Sequence, residues 1–541
     1  MRNHARLIGL VSGLVCAIAL LGAGAAGARV LLVGTYHGIR GGYRTIQAAV
    51  NAARPGDWIL VGPGDYKTTK VSAPAKAPQF PAAVLITKPN LFIRGMSRGG
   101  VIVDATRPGT RPCSSSPAAQ NFGPTYGSGP SGLNGIEVYK ANDVWVQNLT
   151  VCNFFSGTAD AGNGVWWNGG AGGGHIHGWG FLGSYLSATA TYYRGPSDGA
   201  GYGIFSSDWS GGVFANDYAS NMDDSGFYIG GCAQRCNQVI RNSRSEFNAL
   251  GYSGTNSGGS MLIEHNIFDH NQDGFDTNAQ NNSDWPSPQT GACPHGIRPP
   301  LKGARTCWVL YDNLFYANNN PNVPAVGSAA AGPVGTGVSI EGRYDTVMGN
   351  TFKDNGAWGI VFQPYPDTET PPPAPVAAGK ACAGGLPNYS FLQIPIACMY
   401  DDWGNQLIGN HFVHNGFFHN PTNGDFAEAT LLGGHPINCY AGNTDASGTV
   451  TSSPANLQRT NAACGKVRAT PDENLPFVFE ALCDTQALGQ NLGCNTGDRY
   501  PRETHVVMPP LPRKLQSMPN PCAGVPANKW CPAHRSKARS A

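Results

Sequence analysis

Asp276 and Glu341 each stand just beyond a glycine–apolar pair, Gly274-Phe275 and Gly337-Val338. Asp276 follows its pair directly, and Glu341 lies two residues farther along its own segment. If the two segments are neighbouring strands with Phe275 and Val338 turned inward, alternation turns both acids outward on one face. One rung of about 4.8 Å and two strand residues of about 6.6 Å then separate them by roughly 8 Å. Carboxyl groups about 6.5–9.5 Å apart suit an acid and a base that flank a glycosidic bond and leave room for a water. The condition is that residues 279–306 and 319–335, which intervene, leave the two segments adjacent. On that condition Asp276 and Glu341 are the candidate catalytic pair.

The elements that must position them come from a repeat. Five segments share one pattern: Asn242 to Asn248, Asn266-Ile-Phe-Asp-His-Asn271, Asn313-Leu-Phe-Tyr-Ala-Asn318, Asn350-Thr-Phe-Lys-Asp-Asn355 and Asn410-His-Phe-Val-His-Asn415. Each follows a short apolar strand, such as Met261-Leu262-Ile263 or Val309-Leu310. A second strand opens with glycine at 203, 226, 251 and 274, spaced by 23, 25 and 23 residues, and Gly337 to Gly359 adds a spacing of 22. A unit this short cannot bury its own apolar face, so units must stack into a parallel solenoid. The recurrent Asn suits the corners, because it tolerates a left-handed backbone and its amide can bond the coils above and below. A propeller needs a longer period, and a sandwich has none.

By these residues the chain resembles the right-handed parallel β-helix proteins of the pectate-lyase-like superfamily. The segment Tyr43 to Tyr66 is similar to that superfamily's entry, an amphipathic helix that caps the open end before the first strand. The spacing of Ile46, Ala49, Val50 and Ala53, stopped by Pro55-Gly56, independently predicts a helix there. The resemblance spans roughly residues 40–435 and implies an all-β solenoid. It implies no single activity, because this fold hosts lyases, hydrolases, epimerases and inert adhesins. The polygalacturonase set of Asn-Thr-Asp, Asp-Asp and Gly-His-Gly is not matched: Asp223-Asp224 precedes Gly226, Gly-His-Gly is absent, and Asn443-Thr444-Asp445 lies downstream, out of order. The Asp-Pro-His-Glu motif of the mannuronan epimerases is also absent.

Alternation along the solenoid gives the outward columns. One reads Phe205, Tyr228, Ser253, Asp276, Ser339, Val361, and another, two residues on, reads Ser207, Gly230, Thr255, Asn278, Glu341, Gln363. Earlier coils add Glu137, Trp166 and Asn168. Trp166, Phe205 and Tyr228 are candidate platforms for sugar rings, and Asn278 and Gln363 are candidate substrate contacts. The competing reading of outward acids is plain solvation. Asp273 and Asp223-Asp224 fall at corners, where Asp caps turns. His265 and His270 lie outside the columns and read as surface residues. His175 and His177 share a strand face but lack a third ligand at metal spacing. A lyase would need a base with Arg or calcium to hold a uronate carboxylate. Arg241 and Arg244 flank Asn242, and no Asp cluster has calcium-site spacing. No cofactor is expected for hydrolysis, and for elimination calcium is one of the cations, beside Arg, that could hold the carboxylate.

Composition bounds the rest. In 541 residues there are 73 Gly and 41 Pro, and charged residues make up 13%. The formal charge of +2 gives no footprint for nucleic acid. Residues 1–28 read as a signal peptide: Arg2 and Arg6, the apolar run Leu7 to Gly22, then Ala26-Gly27-Ala28 before Arg29. Past that point the cysteines at 113, 152, 232, 236, 293, 307, 382, 398, 439, 464, 483, 494, 522 and 531 are even in number. They predict up to seven disulfides in an oxidising compartment rather than a metal site at Cys232-x3-Cys236. Insertions at 108–134, 279–306 and 364–398 carry Pro and Cys and read as walls over one side of the solenoid. The expected organisation is a signal peptide at 1–28, a β-helix domain at 29–435 and an irregular, disulfide-containing cap at 436–541. The expected function is a secreted, monomeric, carbohydrate-active protein that cleaves a polysaccharide by hydrolysis or elimination, with no membrane partner after signal cleavage. The alternative is a solenoid that only binds glycan or packs at a cell surface.

Overall fold

A computed structural model describes residues 27–73, 81–126, 129–159, 161–170, 175–195, 198–280, 287–367, 382, 385–389, 395–484 and 498–533. The expected signal peptide falls outside them except for its last two residues, as do Cys494 and most of the 364–398 insertion. The chain winds through three parallel sheets in turn. The first sheet holds twelve strands, from Val30–Val33 to Cys439–Ala441, and the second holds eleven, from Gly64–Lys67 to Thr444–Asp445. The third has six strands, Ala82–Ile86 to Leu250–Ser253, and then four, Thr336–Ile340 to Ser452–Ser453. Isolated bridges Leu250↔Asp273 and Thr255↔Asn278 on one side, and Asp273↔Thr336 and Asp276↔Ser339 on the other, join the two groups. The architecture is a parallel β-helix, and its pairing continues past residue 435.

Inward positions form continuous apolar columns. Phe268, Phe315, Phe352 and Phe412 are aligned strand to strand, with successive ring centroids 5.3, 5.2 and 4.9 Å apart and interplanar angles of 9°, 13° and 11°. In the third sheet Ile204, Phe227, Tyr252, Phe275, Val338, Ile360 and Phe426 are wholly buried. The helix Ile46–Ala52 buries Ile46, Ala49 and Val50, and Thr45 caps its start by accepting the Ala48 N–H at 3.2 Å. These rings and aliphatic groups are what the parallel stacking removes from water.

The corners are held by asparagine ladders. The N–H groups of Ser243, Asn266, Asn313, Asn350 and Asn410 each donate to the side-chain oxygen of the next ladder residue, at 2.9–3.0 Å. Gln458, in the helix Leu457–Thr460, ends the series by accepting from Asn443. A second ladder runs Asn248, Asn271, Asn318, Asn355, Asn415. Two expectations are corrected here. Asn242 is not a rung, since Ser243 holds that place and Asn242 sits one residue early at φ 52°. The rungs are also not the left-handed residues. Positive φ belongs to the residue before each rung: His265, Asp312, Gly349 and Gly409 in one ladder, and Phe247, His270, Ala317, Asp354 and His414 in the other. The turn is made first, and the asparagine that follows then bonds along the solenoid axis.

The C-terminal segment runs back along the molecule. Tyr500 packs near Trp358, the Val507 N–H donates to the Asn322 carbonyl, and Asn221 donates to the Pro509 carbonyl. Arg98, 3% exposed, donates to the Gln516 carbonyl, and Met518 donates to Asn148. Arg94 donates to the carbonyls of Pro521 and Ala523, and Trp530 reaches the Ile39 carbonyl in the first coil. The segment ends in a loop closed by Cys522–Cys531. Among the described residues six disulfides form, including Cys232–Cys236, which settles that pair as a bridge.

Asn350 accepts two bonds from Asn313 and donates to the Leu310 carbonyl, all without solvent. Asn350→Ala should therefore cost about 2–4 kcal/mol, because it strands buried donors in the coil below. An unchanged thermal or denaturant midpoint would show that the ladder does not bear on stability.

Candidate functional site

The outward face of the third sheet carries the predicted columns in the predicted register. Glu137 pairs with Trp166, Trp166 with Phe205, Phe205 with Tyr228 and Tyr228 with Ser253. Asp276 bridges Ser339, which pairs with Val361. The intervening insertions thus leave the coils of Asp276 and Glu341 adjacent, and the strand-geometry separation of roughly 8 Å applies.

Both acids are held by amides. Asn278 Nδ2 donates to Asp276 Oδ2 at 3.2 Å. Gln363 Nε2 donates to Glu341 Oε1 at 2.6 Å and to Ser339 Oγ at 2.9 Å. The Glu341 N–H donates to Thr277 Oγ1 at 3.1 Å, which ties the two coils together beside the pair. Glu341 is 5% exposed and Asp276 is half-buried, so neither is a freely solvated carboxylate. Burial pushes Asp276 up to about 8; the Asn278 bond opposes this and Asp224 adds to it. Burial also raises Glu341, helped by Asp276 and Asp273 and opposed by Gln363 and Ser339. Two acceptor atoms in this group, Glu341 Oε2 and Asn278 Oδ1, are buried without a hydrogen-bond partner among the described residues.

The aromatic platforms do not stand as expected. Trp166 and Phe205 stack on each other at 5.0 Å and 7°, and Tyr228 meets Phe205 edge-on at 4.8 Å. Tyr202 completes the cluster, and less than a tenth of Trp166, Phe205 or Tyr228 is exposed. Aromatic rings on adjacent rungs lie at stacking distance, so they satisfy one another instead of a ligand. Asn278 and Gln363, read as substrate contacts, first of all orient the acids.

The insertions at 108–134, 279–306 and 364–398, expected to wall one side of the solenoid, spread over all three sheets, and this face is flanked by residues 319–335 on one long edge and by part of 364–398 on the other. Residues 319–335 cover the entry edge, where Ala325 and Ala329 pack on Leu250 and the Gly332 carbonyl accepts from Gln272 at 2.6 Å. On the exit edge Ala279 packs with Cys382, Cys398 and Tyr400, beside a three-stranded antiparallel sheet whose strands begin at Tyr365, Leu386 and Pro395. Residues 108–134 are tied to the second sheet by Cys113–Cys152. Residues 287–306 reach the first sheet, with Gln289 on Asp345.

Other candidates resolve into structural roles. Asp273 caps its turn by accepting the Phe275 N–H at 3.0 Å, as read from the sequence, and also faces Glu341. His265 pairs with Asp312 at 3.0 Å. His270 is half-exposed but engaged: its Nδ1 lies 2.6 Å from Asp269, which Arg244 grips with two bonds while also meeting Glu246. This closed network escaped the sequence reading. Its only signal was the two-residue spacing of Arg244 and Glu246, one rung from Asp269. His175 and His177 have ring centroids 6.1 Å apart. Among the described residues, metal-ligand spacing occurs at Asp104–Cys113–Cys152, where both cysteines are bridged, and at Glu246–Asp269–His270, where Arg244 supplies the counter-charge. The Asp276–Glu341 pair is not part of such a group.

A carboxyl with a raised folded-state pKa keeps its proton where the unfolded chain has lost it. Its contribution to stability is therefore complete below about pH 4 and is lost as the pH climbs toward 8. Asp276→Asn should be progressively more stable than the parent across that window, by up to about 1.4 kcal/mol per pH unit. Denaturation curves for both proteins at pH 4, 6 and 8 that keep a constant gap would contradict the burial assigned to Asp276.

No family model matches the sequence, and no curated protein matches it. Solved structures do. The chain is similar to the A-module of the mannuronan C-5 epimerase AlgE6 from Azotobacter vinelandii, with 13% identity and a TM-score of 0.43, covering 74% of this chain and 88% of that one. A tailspike protein of Escherichia coli bacteriophage HK620 matches at 11% identity and a TM-score of 0.41, covering 74% and 62%. The pectate lyase Pel9A matches at 12% identity and a TM-score of 0.36, covering 79% and 78%.

Proposed function

We propose that this chain is an exported enzyme that hydrolyses a polysaccharide on the outward face of the third sheet. The observation that carries this is the Asp276–Glu341 pair on adjacent coils, each acid oriented by its own amide, with Glu341 Oε2 unpartnered beside them. Glu341, the more buried of the two, keeps its proton and serves as general acid to the leaving oxygen. Asp276, half-buried and pushed up to about 8, serves as general base to a water in its ionised form, so the rate should climb as the pH approaches 8. A separation of roughly 8 Å leaves room for that water and corresponds to inversion at the anomeric carbon. Elimination fits less well. Among the described residues the groups that act on Asp276 are Asn278 and Asp224, an amide and an acid, whereas a lyase needs a cation against the uronate carboxylate. The disulfides favour an oxidising, extracytoplasmic setting.

The test follows reducing ends and absorbance near 235 nm together on a panel of neutral and acidic polysaccharides. Reducing ends should appear without absorbance, and Glu341→Gln or Asp276→Asn should lower the rate by at least about 10³. Glu341→Gln should recover on an aryl glycoside with a good leaving group, whereas Asp276→Asn should not. Full activity in either variant removes the assignment. A polymer that binds and never shortens makes the protein a glycan-binding solenoid instead.

A further inference from the structure

The two outward columns that carry the acids change character one coil past Glu341. Ser253, Asp276 and Ser339 are followed in register by Val361 and Ala427, and Glu341 and Gln363 are followed by Ala429. Val361, Ala427 and Ala429 are at most 1% exposed, and they pack in one cluster with Phe477 and Ala481 of the helix Leu475–Asp484. Phe477, itself without exposure, meets Trp358 edge-on with ring centroids 5.3 Å apart. Polar bonds fasten the helix at two places. The Thr422 N–H and hydroxyl donate to the Glu480 carboxyl at 3.1 and 2.5 Å. Just before the helix, Asn474 Nδ2 donates to the carbonyls of Glu428 and Ser453 at 2.8 and 3.1 Å, and Ser453 is the last rung of the column. The column through Asp276 is thus roofed at Val361 and Ala427, whereas Asp276 and Gln363 keep part of their surface.

Resting on the hydrolase reading of this face, we propose that the site accepts only the end of a glycan chain, and that the helix Leu475–Asp484 is the wall that stops it. An interior stretch of polymer carries chain on both sides of the bond to be cut. Laid along the columns, its far side would have to continue over Val361, Ala427 and Ala429, where Phe477 and Ala481 already stand in contact. Such packing leaves no space for a sugar ring. Between the coil of Glu341 and the wall lies one rung, about 4.8 Å, which is room for a terminal unit and not for a chain. The polymer therefore reaches the acids from the side of Tyr228 and Ser253, and the unit released is short.

The experiment compares one polymer at two chain lengths and equal mass: alginate, polygalacturonate, xylan and a soluble β-glucan, each intact and sonicated to chains tenfold shorter. The shorter form offers tenfold more ends. With the full mature chain at low substrate, the rate should rise at least fivefold on the shorter form, and the first products should be mono- or disaccharides. The variant Phe477→Ala/Glu480→Ala should release longer fragments and bring the length dependence below threefold. If it does not fold by circular dichroism, Glu480→Ala alone takes its place and should halve the dependence or better. Equal rates per mass with long early products, or folded variants that still cut strictly from ends, would overturn the inference and leave the hydrolase reading standing. Where no polymer is shortened, saturation binding decides. Protein bound per mass that rises fivefold or more on the shorter form keeps end recognition and removes the hydrolase reading. Binding that follows mass, or binding to none of the four polymers, removes both.

Discussion

Everything in this molecule depends on the hydrogen bonds that run along the solenoid axis at its corners. A coil that changes direction leaves backbone N–H groups pointing at the next coil with no strand to receive them. The side-chain oxygens of Asn266, Asn313, Asn350, Asn410 and Asn443 take those donors in series, and the parallel ladder of Asn248 to Asn415 does so at the next corner. Each rung fixes the register of its neighbour. Because side chains alternate every residue, a slip of one position would turn the phenylalanine column outward and the acids inward. The outward setting of Asp276 and Glu341 is thus tied to asparagines at the corners.

The third sheet departs from this regularity at the coil that carries Asp276. Between its six-stranded and four-stranded parts it is joined only by isolated bridges, and these involve Asp273, Asp276 and Asn278. Burial is the first cause of the raised proton affinity of the two acids on this coil.

How far the sequence could be read depended on which force acted. The period, the inward column and the outward register were legible, because burial and alternation act on every coil alike and glycine marks the phase. Asn242 was misplaced because its coil uses serine as the rung, a substitution that repeat spacing does not resolve. Trp166, Phe205 and Tyr228 were placed on the right face but given the wrong partner. Their column position is a matter of period, whereas their mutual stacking depends on ring orientation. The course of the C-terminal segment was not legible at all. It is held mainly through backbone carbonyls that meet Arg94, Arg98 and Asn221, and carbonyls leave no trace in residue type.

That segment also acts as a ruler. Its contacts begin near Trp358 and end at Ile39, so its span must match the height of the coils between them. Each coil adds about 4.8 Å, which an extended chain covers in one to two residues. A solenoid without such a tie can gain or lose a repeat with little consequence beyond the new interface. Here a coil inserted between those anchors would have to be matched by lengthening a stretch of sequence far away in the chain, and a coil removed would leave that stretch slack. The coil number is therefore constrained by two distant parts of the chain at once, and repeat duplication, the usual way such folds grow, is closed to this one unless both change together.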